Sequence, residues 1–144
     1  MSISFQVTFD AADPQRLAAF WESLLGYRQE DPPEPYATWQ EFAEAVGIPE
    51  ERWDDFAILV DPDGVQPRLF FQRVPEPKSA KNRVHLDVNV GGGRGVPRDQ
   101  RRVLVDEAVG RLAGTGATQV RAYDEADQYW VVMRDPEGNE FCLQ

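Results

Sequence analysis

The chain has 144 residues, 42% of them hydrophobic and 28% charged, with a formal net charge of −10. That length suits a single domain able to bury a core without disulfides, and the one cysteine cannot form an internal bridge. The acidic balance argues against binding to a phosphate backbone, and no segment reaches the ~20 apolar residues needed to cross a bilayer, so neither nucleic acid nor membrane is expected as a partner. The basic cluster "RGVPRDQRR" reads as a loop and a solvated helix start. "MSISFQVTFD" has no basic region or cleavage site, so a cytoplasmic location is expected.

In chain order, "ISFQVTF" alternates as a strand does. "ADPQRLAAFWESLLG" follows as a helix, with Asp13 as N-cap, Pro14 in the first turn and Gly26 as terminator. Leu17, Phe20, Trp21, Leu24 and Leu25 recur at helical spacing and should face the core. "YRQED" reads as a short strand running into "PPEP", and "WQEFAEAVG" as a short helix ending at Gly47. "FAILV" (56–60) is a buried strand, Asp-Pro-Asp-Gly its turn, and "RLFFQRV" the returning strand. "RVHLDVNV" is the next strand, and "GGGRGVP" a loop needing permissive backbone. "RDQRRVLVDEAVGRLAGTG" is a helix whose apolar side is drawn from Val103, Leu104, Val105, Ala108, Val109 and Leu112. "ATQVRAY", "QYWVVMR" and "EFCLQ" close the chain as strands, with Asp-Pro-Glu-Gly turning between the last two.

Each half therefore reads strand, helix and three strands, and the acidic turns at Asp61 and Asp135 mark the repeat. One such unit cannot cover both faces of its own sheet, so two are expected to pack together. A ferredoxin-like sandwich with added strands is the rival architecture.

The units, with "FDAADPQRLAAFWESLLGY" opening the first and "DPEGNEFCL" closing the second, resemble the vicinal oxygen chelate superfamily. That superfamily includes glyoxalase I, extradiol dioxygenases and bleomycin-resistance proteins. "FFQRVPEPKSAKNRVHLDV" is similar to its glyoxalase-like domain branch. The resemblance implies an α+β fold: two tandem βαβββ modules, 1–77 and 78–144 of one domain, whose curled mixed sheets form a cup-shaped cavity with a ligand site inside. Enzymes of the superfamily direct up to four metal-facing side chains into the cup, from the first and last strand of each module. Carried over, those positions are Gln6, Gln72, His85 and Cys142, with Glu140 as an alternative to Cys142. Alternation places Asp87 and Asn89 on the face of His85.

As a metal site this set is poor. Hard divalent ions favour carboxylate oxygens, Zn²⁺ generally takes several His or Cys ligands, and a single histidine rules out a two-histidine iron site. No cofactor is expected, although a divalent metal stays open with Gln6, Gln72, His85 and Glu140 or Cys142 as its ligands. Each residue also has a plainer reading. His85 serves equally as a hydrogen-bonded rim residue, the glutamines as partners for buried polar groups, and Cys142 as a small apolar side chain. Glu140 is as readily solvated. The Asp-Pro-acid-Gly residues are turn chemistry.

Trp21 and Trp130 suit a core. Trp39 and Trp53 lie in a proline-flanked polar insert, where a lid over a flat ligand would account for them. The reading adopted is a metal-independent protein binding a small aromatic or heterocyclic ligand through Gln6, Trp39, Trp53, Gln72, His85, Trp130 and Cys142. The alternative is a lyase or isomerase in which His85 or Glu140 moves a proton next to a carbonyl. A purely structural module ranks third. A small organic ligand is the expected partner, with a homodimer left open.

Overall fold

The computed structural model describes residues 1–144, which divide into two units, Met1–Pro77 and Lys78–Gln144. In the first, β1 (Val7–Ala11), α1 (Pro14–Leu25) and β2 (Arg28–Gln29) precede a short helix α2 (Trp39–Ala45) and a 3₁₀ helix (Glu50–Asp55). β3 (Phe56–Val60) and β4 (Leu69–Arg73) complete it. The sheet order is β1-β4-β3-β2, with β1 parallel to β4 and the other pairs antiparallel. The second unit has β5 (Asp87–Val88), α3 (Arg98–Arg111), β6 (Thr118–Glu125), β7 (Gln128–Arg134) and β8 (Glu140–Leu143), in the order β5-β8-β7-β6. Its first and last strands are again parallel. The fold is α+β, built of two βαβββ modules with two separate open four-stranded mixed sheets.

Helix α1 starts where its sequence says. The Asp13 carboxylate accepts the Arg16 N–H, Pro14 sits in the first turn, and Gly26 ends the helix in the left-handed region at φ 69°. Leu17, Ala18, Phe20 and Trp21 are buried. The Trp21 ring lies 5.3 Å from Phe9, which stacks 4.9 Å from Phe71. By register, Phe9, Ala57, Leu59, Leu69 and Phe71 share that helix-covered face, and Thr8, Asp10, Phe56, Ile58, Phe70 and Gln72 take the other. In the second unit Val105, Ala108 and Leu112 are the buried stripe of the helical segment, and Val131, Met133, Phe141 and Leu143 are the buried residues of β7 and β8. Val103, expected on the apolar side, is 54% exposed because the stripe at 105, 108 and 112 turns it outward.

Two strands are shorter than their sequences suggest. Residues 3–6 do not pair, and Ile3 and Phe5 are exposed. The parallel register sets Val7 against Leu69, so Phe5 would fall opposite Pro67, which has no N–H to donate. Gln6 thus sits just before β1. His85 likewise precedes β5, just short of it, although the parallel register would set it opposite Glu140, the first residue of β8.

The repeated acidic turn has a structural cause. One Asp61 oxygen accepts the Asp63 N–H, and the other accepts those of Val65 and Gln66. These bonds, that from Gln66 foremost, hold the carboxyl below its usual range. Asp135 is buried; Oδ1 accepts from the backbones of Glu137 and Asn139, and Oδ2 from the Asn139 side chain. Gly64 and Gly138 complete the turns at φ 67° and 84°. Asp135→Ala strands these donors and should cost about 2–3 kcal/mol in urea unfolding. An equal midpoint for variant and parent would contradict this role.

Candidate functional site

Two places gather the candidate residues. The first is the face of the second sheet opposite its buried stripe. Glu140 and Cys142 both project there, since the intervening Phe141 and the following Leu143 are buried on the helix side. Asp87 lies directly beside Cys142 across the β5–β8 ladder. His85 Nδ1 is 2.8 Å from Asp87 Oδ1, and one ligand atom from each of His85, Asp87 and Cys142 falls within 4.8 Å of the others. Trp130 projects from the same face and stacks flat on Tyr123 at 5.0 Å, with Arg121 over the Tyr123 ring.

Environment separates these groups chemically. Burial, then the charge of Asp87 and a hydrogen bond to it, push the Cys142 thiol up to about 11. It is a protonated, inert thiol at neutral pH. Burial would raise Glu140, but hydrogen bonds from the Asn82 N–H, its own backbone and Lys78 outweigh that and hold it below its usual range. The Asn82 N–H donates at 2.9 Å and Lys78 Nζ stands at 3.2 Å. Glu140 is therefore an ionised, engaged carboxylate tying the start of the unit to its last strand.

Gln6 and Gln72 belong to the opposite face of the first sheet and are already committed. Gln6 Oε1 accepts from Arg68 and Gln72 Nε2 donates to Asp10, each at 2.8 Å. Arg68 in turn forks onto Glu30 with bonds of 2.8 and 2.6 Å.

The second place is the free edge of β3. The short β2 pairs only with Leu59 and Val60, so on the side away from β4 the earlier part of β3 lacks a strand neighbour. The segment between β2 and β3 folds along this edge, and Gln15 of α1 donates to the Phe56 carbonyl at 2.9 Å. Between them lies a cavity of about 500 Å³, with Trp39, Trp53, Phe56, Gln40, Glu50 and Asp54 among its walls. Both indoles are pinned: Trp39 donates to the Glu30 carbonyl at 2.7 Å and Trp53 to the Ile48 carbonyl at 3.0 Å. Trp39 also meets Phe42 and Phe56 edge-on. In this structure the indoles are walls of the cavity, all of which come from residues 15–59; His85 is not among them. Sequence reasoning gave Asp87 no role beyond sharing the face of His85. It also missed Gln15, Glu50 and Asp54, whose meeting depends on contacts between distant segments.

The chain belongs to the glyoxalase-like domain family, which matches residues 6–144. Among solved structures it is similar to a glyoxalase/bleomycin resistance protein/dioxygenase family enzyme from Burkholderia phytofirmans, with 18% identity, 96% of this chain and 94% of that chain covered, and a TM-score of 0.62. It is also similar to a possible glyoxalase from Bacillus cereus, at 15% identity, 100% and 99% coverage, and a TM-score of 0.62. A third is a variant of the fosfomycin resistance protein FosX from Listeria monocytogenes, complexed with Mn(II) and 1S,2S-dihydroxypropylphosphonic acid. It shows 10% identity, 100% and 90% coverage, and a TM-score of 0.63. At these identities the likeness speaks for the fold. No curated protein matches the chain. No helix is long and apolar enough to cross a membrane.

A FosX-like Mn(II) raises the question of fit. The cluster of His85, Asp87 and Cys142 offers a single carboxylate, which already accepts from both neighbours, and a thiol that resists deprotonation. Glu140, the other carboxylate on that face, is held by Asn82 and Lys78. These residues do not fit a hard, oxygen-seeking ion. With its thiol near 11, Cys142 should be about one thousandth thiolate at pH 8. Its alkylation by iodoacetamide in the native protein should then run at least ~100-fold slower than in urea; equal rates would show an activated thiol.

Proposed function

We propose that this protein is a metal-independent small-molecule-binding member of the glyoxalase-like family, and that its ligand is a flat aromatic or heterocyclic compound. The observation that carries this reading is the cavity of about 500 Å³ walled by Trp39, Trp53 and Phe56. Its volume is in the range that holds a drug-sized molecule, and ligand sites generally combine aromatic walls with a few polar groups. Because each indole N–H is satisfied by a backbone carbonyl, the rings are held in place before any ligand arrives. Little ordering cost then opposes binding. Gln15, Gln29 and Gln40 supply amides that can orient a heteroatom.

The His85–Asp87 pair favours a second reading, a lyase or isomerase. Asp87 engages Nδ1 and so orients the ring, leaving Nε2 as a base for a proton beside a carbonyl. Deuterium incorporation next to a substrate carbonyl in D₂O, lost in His85→Ala, would favour it over simple binding.

Screening flat heteroaromatic compounds by tryptophan fluorescence should yield quenching that saturates and survives EDTA. Trp39→Phe should weaken the best compound at least ~10-fold while costing only about 1 kcal/mol of stability, the worth of the lost hydrogen bond. Binding abolished by the chelator, or unaffected by Trp39→Phe, would contradict the proposal.

A further inference from the structure

The cavity at the β3 edge also has a sign. Its charged walls are Glu30, Glu50 and Asp54, with no lysine or arginine among them. Glu30 is neutralised by the forked contact with Arg68. The neighbouring arginines are likewise committed: Arg52 and Arg73 both bind Asp55, at 3.1 and 3.0 Å, and the Asp55 carboxyl is lowered accordingly, chiefly by its bond from Arg52. Neither Glu50 nor Asp54 takes part in an ion pair, and Arg73 reaches only the Asp54 backbone carbonyl, at 3.5 Å, so two unpaired carboxylates share the walls with two indoles held by their own hydrogen bonds. The negative π faces of indole and the carboxylates attract the same kind of ligand. The chain's net charge of −10 adds a long-range field of that sign.

We infer that the cavity selects an organic cation bearing a flat aromatic ring, such as a quaternised or protonated nitrogen heterocycle, with its charge directed to Glu50 and Asp54. This rests on the reading that the Trp39–Trp53 cavity is the binding site. An anionic ligand would meet the carboxylates without a compensating positive charge among the walls, and a neutral one would forgo the attraction of its charge to them. The three charge states of one ring system are therefore ranked.

Calorimetric titration with N-methylquinolinium chloride, neutral quinoline and quinoline-carboxylate, all at pH 7.5, tests this on the intact chain. The cation should bind at least ~10-fold tighter than quinoline, with the carboxylate weakest. In the double variant Glu50→Gln/Asp54→Asn the preference for the cation should fall to within about threefold, while quinoline binds as before. These side chains are exposed, so the variant is expected to fold. If quinoline and the cation bind equally in the parent chain, or the preference survives in the double variant, the charge assignment is wrong although the binding site stands. If none of the three binds, the site assignment itself fails, and the inference with it.

Discussion

One long helix can cover only one face of a four-stranded sheet, and each unit of this protein has a single such helix. Everything polar in the strands follows from that limit. On the covered faces the strands present Phe9, Leu59, Leu69 and Phe71 in one unit, and Val131, Met133, Phe141 and Leu143 in the other. The period-two alternation then sends Gln72 and Asp10, or Glu140, Cys142 and Asp87, to the opposite faces. Those residues are not left as loose polar groups. Gln72 answers Asp10, His85 answers Asp87, and Glu140 is bound by Asn82 and Lys78. A side chain already holding a partner is a poor ligand for a hard ion, and the donors on these faces do not fit one.

The first unit differs from the second by the segment between its second and third strands. A two-residue β2 leaves the start of β3 without a strand on one of its two edges, and an unpaired edge invites another chain. Here the gap is closed by side chains and by a folded insert instead of a strand. Thr38 caps α2 by accepting the Glu41 N–H, and the Glu41 carboxylate returns to the Ala37 N–H, a reciprocal arrangement that fixes where the Trp39 ring begins its turn. Side-chain cover packs less completely than a strand, and the space that remains is the cavity.

Much of this was legible in the residues. Asp13, Pro14 and Gly26 announce α1 at both ends, and the two Asp-Pro-acid-Gly turns mark the duplication because each aspartate must collect the N–H groups of its own turn. The resemblance to the glyoxalase-like branch pointed to the α+β fold of paired βαβββ modules. What the sequence did not show was where pairing stops. Pro67 shortens β1 from a distance of some sixty residues, which leaves Gln6 outside the strand, and His85 stands just before β5. Nor could the insert be placed. A lid over a flat ligand is the expectation for Trp39 and Trp53, and a strand edge is open to them only because β2 is so short. Glu50 and Asp54 carried no local signal at all; their meaning depends on Arg52 and Arg73 being spent on Asp55.

The central claim is that ligand recognition resides at the β3 edge and not at the His85 cluster. The chain's four tryptophans each carry one indole N–H and so report on it directly. Trp39 and Trp53 line the cavity, Trp21 is buried on the sheet-facing side of α1, and Trp130 lies on the second sheet. In a ¹H–¹⁵N titration with a flat heteroaromatic cation, the Trp39 and Trp53 indole signals should shift and saturate together while those of Trp21 and Trp130 stay in place. Saturable movement of Trp130 and the backbone signals of His85 and Asp87, with Trp39 and Trp53 unmoved, would contradict the account.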